Sequence, residues 1–482
     1  MESNFVKHLK WLWNNTEAIL FFIFFATFTF NIRKVFLTPY SYLNREFNEY
    51  LTISFSWADL LIILLMLIYT IKYIISQYKG YSSSTFLLKN KISDKSSIAL
   101  LKLNVSRETF LLLLFIGWVV ISIFWSPLKE IALFRALSVI EVAILAFLAF
   151  NFALQNRARP LLIETALIFG GTIQVLIAVS QFIINKSLGV KFLGESILGH
   201  NLPGVAKFTI DGVKHIRPYG TFPHPNILAG FLLAPIMILF GLIAERLQKN
   251  RSRLTVSHET IVGRFSTPIL VILLIFLFFG LFITFSRSAL IAIALGGLIF
   301  WWQKLKLLSW RLKRLLLTSL ILLLFLGGYF VSQTKLNFIF SEQSLEERNI
   351  YLNVSHETIA SHPVSGLGMG QFVSREFFLH PDLPGWQYQP VHNVYLLIAS
   401  ELGIIGLALF LLFILTTSIK YCFINYLSNL LTKKPYCIII LSFFIISFFD
   451  HYFWDIKQGM IIFTIPFILH VASRQDARKI PR

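Results

Sequence analysis

Charge is scarce in this chain, and what there is leans one way. Of 482 residues only 14% are Asp, Glu, Lys or Arg, with 43 Lys and Arg against 24 Asp and Glu. A soluble globule of this length needs a polar surface that such a composition does not supply. Cysteine is almost absent too. Cys422 and Cys437 flank one short basic loop, which indicates neither a disulfide framework nor a thiolate metal site. The apolar run after Glu17 lacks the small-residue cleavage site of a signal peptide, so the first helix is expected to stay. The alternation of a barrel strand, in segments of about ten residues, is missing as well. What the chain has instead is apolar length, with 56% hydrophobic residues, 49 Phe and a mean hydropathy of +0.70.

Many apolar runs approach the roughly 20 residues that cross a hydrocarbon core as helix. The expected fold is all-α, a polytopic integral membrane protein forming a single membrane domain over 1–482. Helices are placed at about 17–37, 53–75, 109–126, 131–153, 161–184, 224–245, 268–286, 287–303, 314–332, 391–418, 436–454 and 457–472, about twelve spans in all. With both termini cytoplasmic, most of the Lys and Arg fall inside, crowding 72–107, 246–264, 304–314 and the C-terminus. The basic excess is thus an orientation signal and a contact with membrane lipids, and no nucleic-acid partner is expected. This leaves two long outer loops, 185–223 and 333–390. The second, between the ninth and tenth helices, is expected to fold over the membrane face as a lid.

Unusual residues gather at the outer helix ends. In HIRPYGTFPHPNILAGF, Arg217 precedes a helix expected to start near His224 or Pro225, and free N–H groups there suit an anion. In ITFSRSALIAIALGG, Ser286-Arg287-Ser288 marks a tight turn that pins Arg287 to the interface. In QPVHNVYLLIASELGIIGL, His392 and Asn393 sit where a polar loop becomes an apolar helix. Arg135 lies about one turn below the outer end of the fourth helix. Glu401 lies about nine residues beyond His392, roughly 14 Å deeper and nearly opposite on a continuous helix. Each residue also has a plainer reading. The arginines suit interfacial anchoring, His392-Asn393 and His224 suit helix caps, and Glu401 suits support of a kink near Gly403. Asp450, His451 and Asp455 form only a partial ligand set, and Asp450 and His451 would diverge on a helix, so no metal is expected.

RPYGTFPHPNILAGF, TFSRSAL, RNIYLNVSHETIASHPVSGLGMGQF and HNVYLLIASELGIIGL, in this order in a chain of about twelve spans, resemble the O-antigen ligase and polymerase family of bacterial envelope enzymes. DHYFWDIKQGMIIF resembles the family's closing segment, so the likeness covers roughly 210–470, with Tyr351 standing where Trp is common. The resemblance implies an inverting-type glycosyltransferase of the bacterial cytoplasmic (inner) membrane. Its donor would be a glycan on a polyprenyl (undecaprenyl) diphosphate carrier, and its acceptor a hydroxyl of a glycan, lipid A core or other surface molecule, met on the outer face. No cofactor is implied.

Under that resemblance Arg217 and Arg287 are the diphosphate clamps, because a planar, permanent guanidinium grips two oxygens of a leaving group that gains charge. His392 is the candidate base for the acceptor hydroxyl. Arg135, His224, Asn226, Arg348, Asn393 and Glu401 are candidate substrate-binding residues. A polymerase of the same family and a carrier-lipid or glycan transporter are the competing readings. A transporter would set its polar groups near the midplane rather than at one face.

Overall fold

A computed structural model describes residues 4–84, 106–155, 158–210, 212–249, 265–305, 342–419 and 435–478. These are mostly helical. Among the described residues six helices are long and apolar enough to cross a membrane, and three shorter apolar ones join them, as expected of a polytopic membrane protein. The helix placed at 314–332 and much of the loops expected to lie inside fall outside the described residues.

The bundle is built around α1 (Asn4–Thr27) packed along α5 (Ala158–Ile184). Next to them run α2 (Trp57–Ser84), α3 (Arg107–Ile121) and α4 (Lys129–Leu154). The second half adds α6 (Pro225–Lys249), α7 (Thr267–Ile283) and α8 (Arg287–Leu305). Then come α9 (Glu342–Ser361) and the short α10 (Phe372–Leu379), both in the expected lid segment. The chain closes with α11 (Val394–Ser418), α12 (Tyr436–Ile446), the one-turn α13 (Tyr452–Asp455) and α14 (Lys457–Arg478). One continuous apolar core runs through the bundle, whereas Leu60, Ile63, Leu64 and Leu67 of α2 are exposed as a lipid-facing stripe would be.

Local sequence explains many of the helix ends. Ser106 caps α3 by accepting the Thr109 N–H, Pro225 opens α6 without wasting a donor, and Asn393 caps α11. Between α7 and α8 the expected tight turn is present, with Phe285 in the left-handed region at φ 51°.

Three expectations need correction. The first helix starts at Asn4 and stops at Thr27 rather than continuing to 37. After it the chain forms β1 (Arg33–Phe36), which pairs antiparallel with β4 (Ile53–Ser56), with the small ribbon β2 (Tyr42–Leu43) and β3 (Glu46–Phe47) between them. A third ribbon, β5 (Lys207–Ile210) with β6 (Val213–Ile216), lies in the 185–223 loop, so the fold is helical with short β ribbons rather than purely α. The Arg-Lys-Val-Phe segment, exposed at all four positions, suits a surface strand better than a lipid-facing turn of helix. Second, the run 436–454 is not one helix. It ends at Ile446, where the Ser447 carbonyl accepts the Val394 N–H at 2.9 Å, a tertiary bond that the apolar pattern does not announce. Third, Cys437 is disulfide-bonded.

α11 is interrupted at Gly403 (φ 65°, ψ −172°). Carbonyls released by the break are taken up from outside the helix: Leu367 N–H donates to Ser400, Gly368 N–H to Glu401 and the Trp118 indole to Leu402. The segment before α10 is thereby stitched to α11 at its break. A Cβ on Gly403 would lie 2.1 Å from the Val364 carbonyl oxygen. Gly403→Ala is therefore expected to combine a steric clash with ~1–3 kcal/mol of backbone strain, read as a clear fall in melting temperature of the purified protein. An unchanged melting temperature would mean that the loop does not hold the break.

Candidate active site

The ends of α1, α5, α7 and α12 and the starts of α2, α4, α6, α8, α11 and α14 meet at one face, joined by polar bonds. Two fully buried glutamines of α5 organise the first motif. The Gln181 carbonyl accepts the N–H groups of Tyr219 and Gly220, and that of Gln174 accepts the Thr221 N–H. Gly220 sits at φ 61° with Gln174 Oε1 2.4 Å from where a Cβ would stand, which leaves only glycine for this turn. β6 and this turn hold Arg217 between two helix ends. Its Nε donates to the Thr284 carbonyl at the end of α7 (2.8 Å) and its Nη2 to Asn226 Oδ1 in the first turn of α6 (2.5 Å).

Asn226 hands the contact on. Its Nδ2 donates to Asp450 Oδ1 at 2.9 Å, while Ser288 Oγ donates to Asp450 Oδ2 at 2.8 Å. Asp450 is 3% exposed. Its Oδ1 lies 3.8 Å from His392 Nδ1, an ion-pair distance too long for a hydrogen bond, and that Nδ1 has no hydrogen-bond partner. The carboxylate favours the proton on Nδ1, which leaves Nε2 to accept one. His392 stands between Tyr351 and His451, with ring centroids 5.8 and 5.0 Å away. His451 Nδ1 in turn lies 2.9 Å from both carboxylate oxygens of Asp455. Two histidine–carboxylate pairs thus stand side by side.

Electrostatics follow from burial and these partners. Burial pushes the Asp450 carboxyl up, but His392 and the bonds from Ser288 and Asn226 outweigh it and hold it at about 2. Burial drives His392 below its ordinary value against the pull of Asp450. It also takes His224, beside Arg217, down to about 3, so His224 is a neutral imidazole whose Nδ1 accepts the Asn226 N–H. For His451 burial also acts downward, but Asp455 and Asp450 prevail and raise it. Burial pulls the Arg217 guanidinium to about 10 against Tyr219 and Asp450, with Arg287 and Arg348 adding to the fall, yet it stays cationic at neutral pH.

The expected residues divide accordingly. Arg217, Arg287, Arg348, His224, Asn226 and His392 share one neighbourhood, with Arg287 exposed at the first position of α8 and Arg348 on α9. Asn393 is the cap of α11, accepting the N–H groups of Tyr395 and Leu396. Glu401 is turned away from the cluster. It accepts the Trp454 indole N–H at 3.0 Å and braces the break in α11. Arg135 also stands apart, donating to the backbone carbonyls of Asp455 and Tyr50. Asp450 and His451, set aside as diverging on a helix, both face His392 because that helix has already ended. Their signal in the sequence is an Asp-His pair inside an apolar run.

A family model described as O-antigen ligase matches residues 272–411. Over that stretch the chain is similar to the O-antigen ligase family. The ligase segment runs from α7 into α11 and carries Arg287, Arg348 and His392, while Arg217, Asn226, Asp450 and His451 are brought to it by flanking helices. No curated protein matches the chain.

The folded carboxyl of Asp450 titrates below its ordinary value of 3.8. The stability it contributes is therefore present above about pH 4 and lost as pH falls toward 2, amounting to about 2 kcal/mol. Asp450→Asn is expected to be less stable than the parent at neutral pH, with the gap closing on acidification. A gap independent of pH would contradict a charged Asp450.

Proposed function

We propose that this ligase-family membrane protein transfers a glycan from a polyprenyl diphosphate carrier to an acceptor hydroxyl at the outer face of the cytoplasmic membrane. The observation that carries the reading is the convergence of three arginines on a histidine–carboxylate pair at one membrane face. Cation density recognises a diphosphate, and a half-buried neutral imidazole with a free nitrogen accepts a proton.

The chemistry runs as a single displacement. The acceptor O–H gives its proton to His392 Nε2 while its oxygen forms a bond to the anomeric carbon. The carbon–oxygen bond to the carrier breaks, and its electron pair leaves with the diphosphate. Arg217, Arg287 and Arg348 meet the charge that develops there, which is larger in the transition state than in the substrate. They fill the role that a divalent cation has in other transferases, so transfer is expected without a metal. Asp450 stabilises the imidazolium that forms. Inversion follows because acceptor and diphosphate occupy opposite sides of one carbon. In this reading the 333–390 segment is the lid, bringing Arg348 and Tyr351 over the site, and the 185–223 loop carries Arg217 to it.

Since His392 acts in its neutral form and burial lowers its pKa, turnover is expected to rise with pH through a value below 6.5 and to be flat at neutral pH. His392→Ala should slow the chemical step by about 10² to 10⁴ while sparing carrier binding. Arg217→Lys and Arg287→Lys should each lose about 1.5–3 kcal/mol of transition-state stabilisation, Arg287 because a point charge does not reproduce a bidentate grip and Arg217 because lysine does not hold both the Thr284 carbonyl and Asn226 while facing the carrier. Single-turnover rates and carrier affinity measured in the same variants check both. Normal rates in His392→Ala would remove the base, and normal rates in both lysine variants would reduce the arginines to interfacial anchors.

A further inference from the structure

The one-turn α13 carries a buried pair that the proposed displacement does not use. His451 and Asp455 stand at the two ends of its turn, each 6% exposed, with His451 Nδ1 2.9 Å from both carboxylate oxygens. Away from water the pair is little screened, and a carboxylate that close keeps a proton on the imidazole, so His451 is a cation. Asp450 and Glu49 pull the same way. The backbone holds the pair in place, because Arg135 of α4 donates to the Asp455 carbonyl and the Trp454 N–H to the His451 carbonyl.

His392 is the next ring, with its centroid 5.0 Å from that of His451. Its two charged neighbours oppose each other. Asp450 Oδ1, 3.8 Å from His392 Nδ1, would by itself draw a proton onto the ring, and an imidazolium has no lone pair left for an acceptor hydroxyl. A fixed cation does the opposite. At about 5 Å and an effective dielectric of roughly 20, it moves a neighbour's titration by about two pH units. Asp450 moreover already accepts from Asn226 and Ser288, so part of its charge is met before it reaches His392.

The other groups facing the two histidines do not reverse this balance. Toward His392, Arg348 of α9 is a further cation, Tyr351 gives its hydroxyl hydrogen to the Gln387 carbonyl, and His224 of α6 is neutral. Toward His451 the turn before β4 presents the Tyr50 ring, 5.8 Å away, and Glu49, which is paired with Arg33 at 3.0 Å. Glu401 of α11, near Asp455, is taken up by the Trp454 indole.

We propose that His451, held as an imidazolium by Asp455, is a positioning residue that keeps His392 neutral and so ready to take the proton of the acceptor hydroxyl. Asp450 and His451 then set the proton affinity of His392 between them, enough to take a proton in the transition state and too little to hold one at rest. The inference rests on the transferase reading only for the use to which the neutral imidazole is put.

The test uses the full chain in lipid nanodiscs with isotope-labelled histidine, followed by NMR as pH is varied without substrate. Signals are assigned by their loss in His392→Ala and in His451→Gln. In the parent, His451 is expected to stay protonated at pH values where His392 is already neutral, and Asp455→Asn is expected to bring its midpoint down. In His451→Gln the His392 midpoint should rise by about one to two pH units, whereas His451→Lys, which keeps a cation, should stay near the parent. A parent in which His451 is neutral throughout that range overturns the proposal without any variant. So does a His392 midpoint that His451→Gln leaves unmoved, or that Gln and Lys move equally, since packing rather than charge would then be at work. The acid limb of single-turnover transfer is measured in the same variants and should move with the His392 midpoint. A limb that ignores a shifted midpoint would instead contradict His392 as the base, and with it that part of the transferase reading, while the effect of His451 on His392 would stand.

Discussion

A single carboxylate sunk among helix ends sets the terms for the rest of this structure. Asp450 is almost wholly buried, and a charge in such a place persists only where donors surround it. Those donors come from α6 through Asn226 and from α8 through Ser288, with His392 from the loop before α11 alongside. To deliver Asp450 there, the helix before it must stop at Ile446, well short of where its apolar sequence would allow. The demand for satisfied polarity thus fixes which helix ends meet. The same contacts fix Arg217, since the oxygen of Asn226 that Asp450 does not use receives the guanidinium.

Around this centre, side-chain amides do what backbone hydrogen bonds do elsewhere. Gln174 and Gln181 satisfy the turn before α6, and Gln458 donates to the Thr29 carbonyl at the end of α1. In hydrocarbon an unsatisfied N–H or carbonyl costs several kcal/mol, so irregular backbone survives at membrane depth only when protein groups complete it. The break in α11 obeys the same rule, with Leu367, Gly368 and Trp118 taking the freed carbonyls. The positioning of the candidate site and its compatibility with a membrane therefore come from one set of bonds.

Much of this was legible in the sequence, and the limits have physical causes. Apolar run length located the helices because lipid demands it, and the motif ends HPN, SRS and HN fell where helices begin because proline, serine and asparagine suit first turns. Arg217, Arg287 and His392 came together as those ends implied. Asn393 caps α11, and Glu401 stands beside the Gly403 break with the Trp454 indole on its carboxylate. Asp450 and His451 escaped because an apolar run gives no sign of a stop imposed by a tertiary bond from Val394. The strands around Arg33 and Ser54 escaped because four residues of β-prone sequence beside a long helix carry little periodicity.

The most direct test of the account is the mass of the product. Purified protein in lipid would be given a polyprenyl-diphosphate-linked glycan and candidate glycan or lipid acceptors, and both the carrier and the acceptor weighed after reaction. The account predicts an acceptor heavier by the whole glycan, less one water, with free polyprenyl diphosphate released in equal amount. Carrier that keeps its glycan while crossing the bilayer, or diphosphate released with no new glycosidic bond, would contradict it.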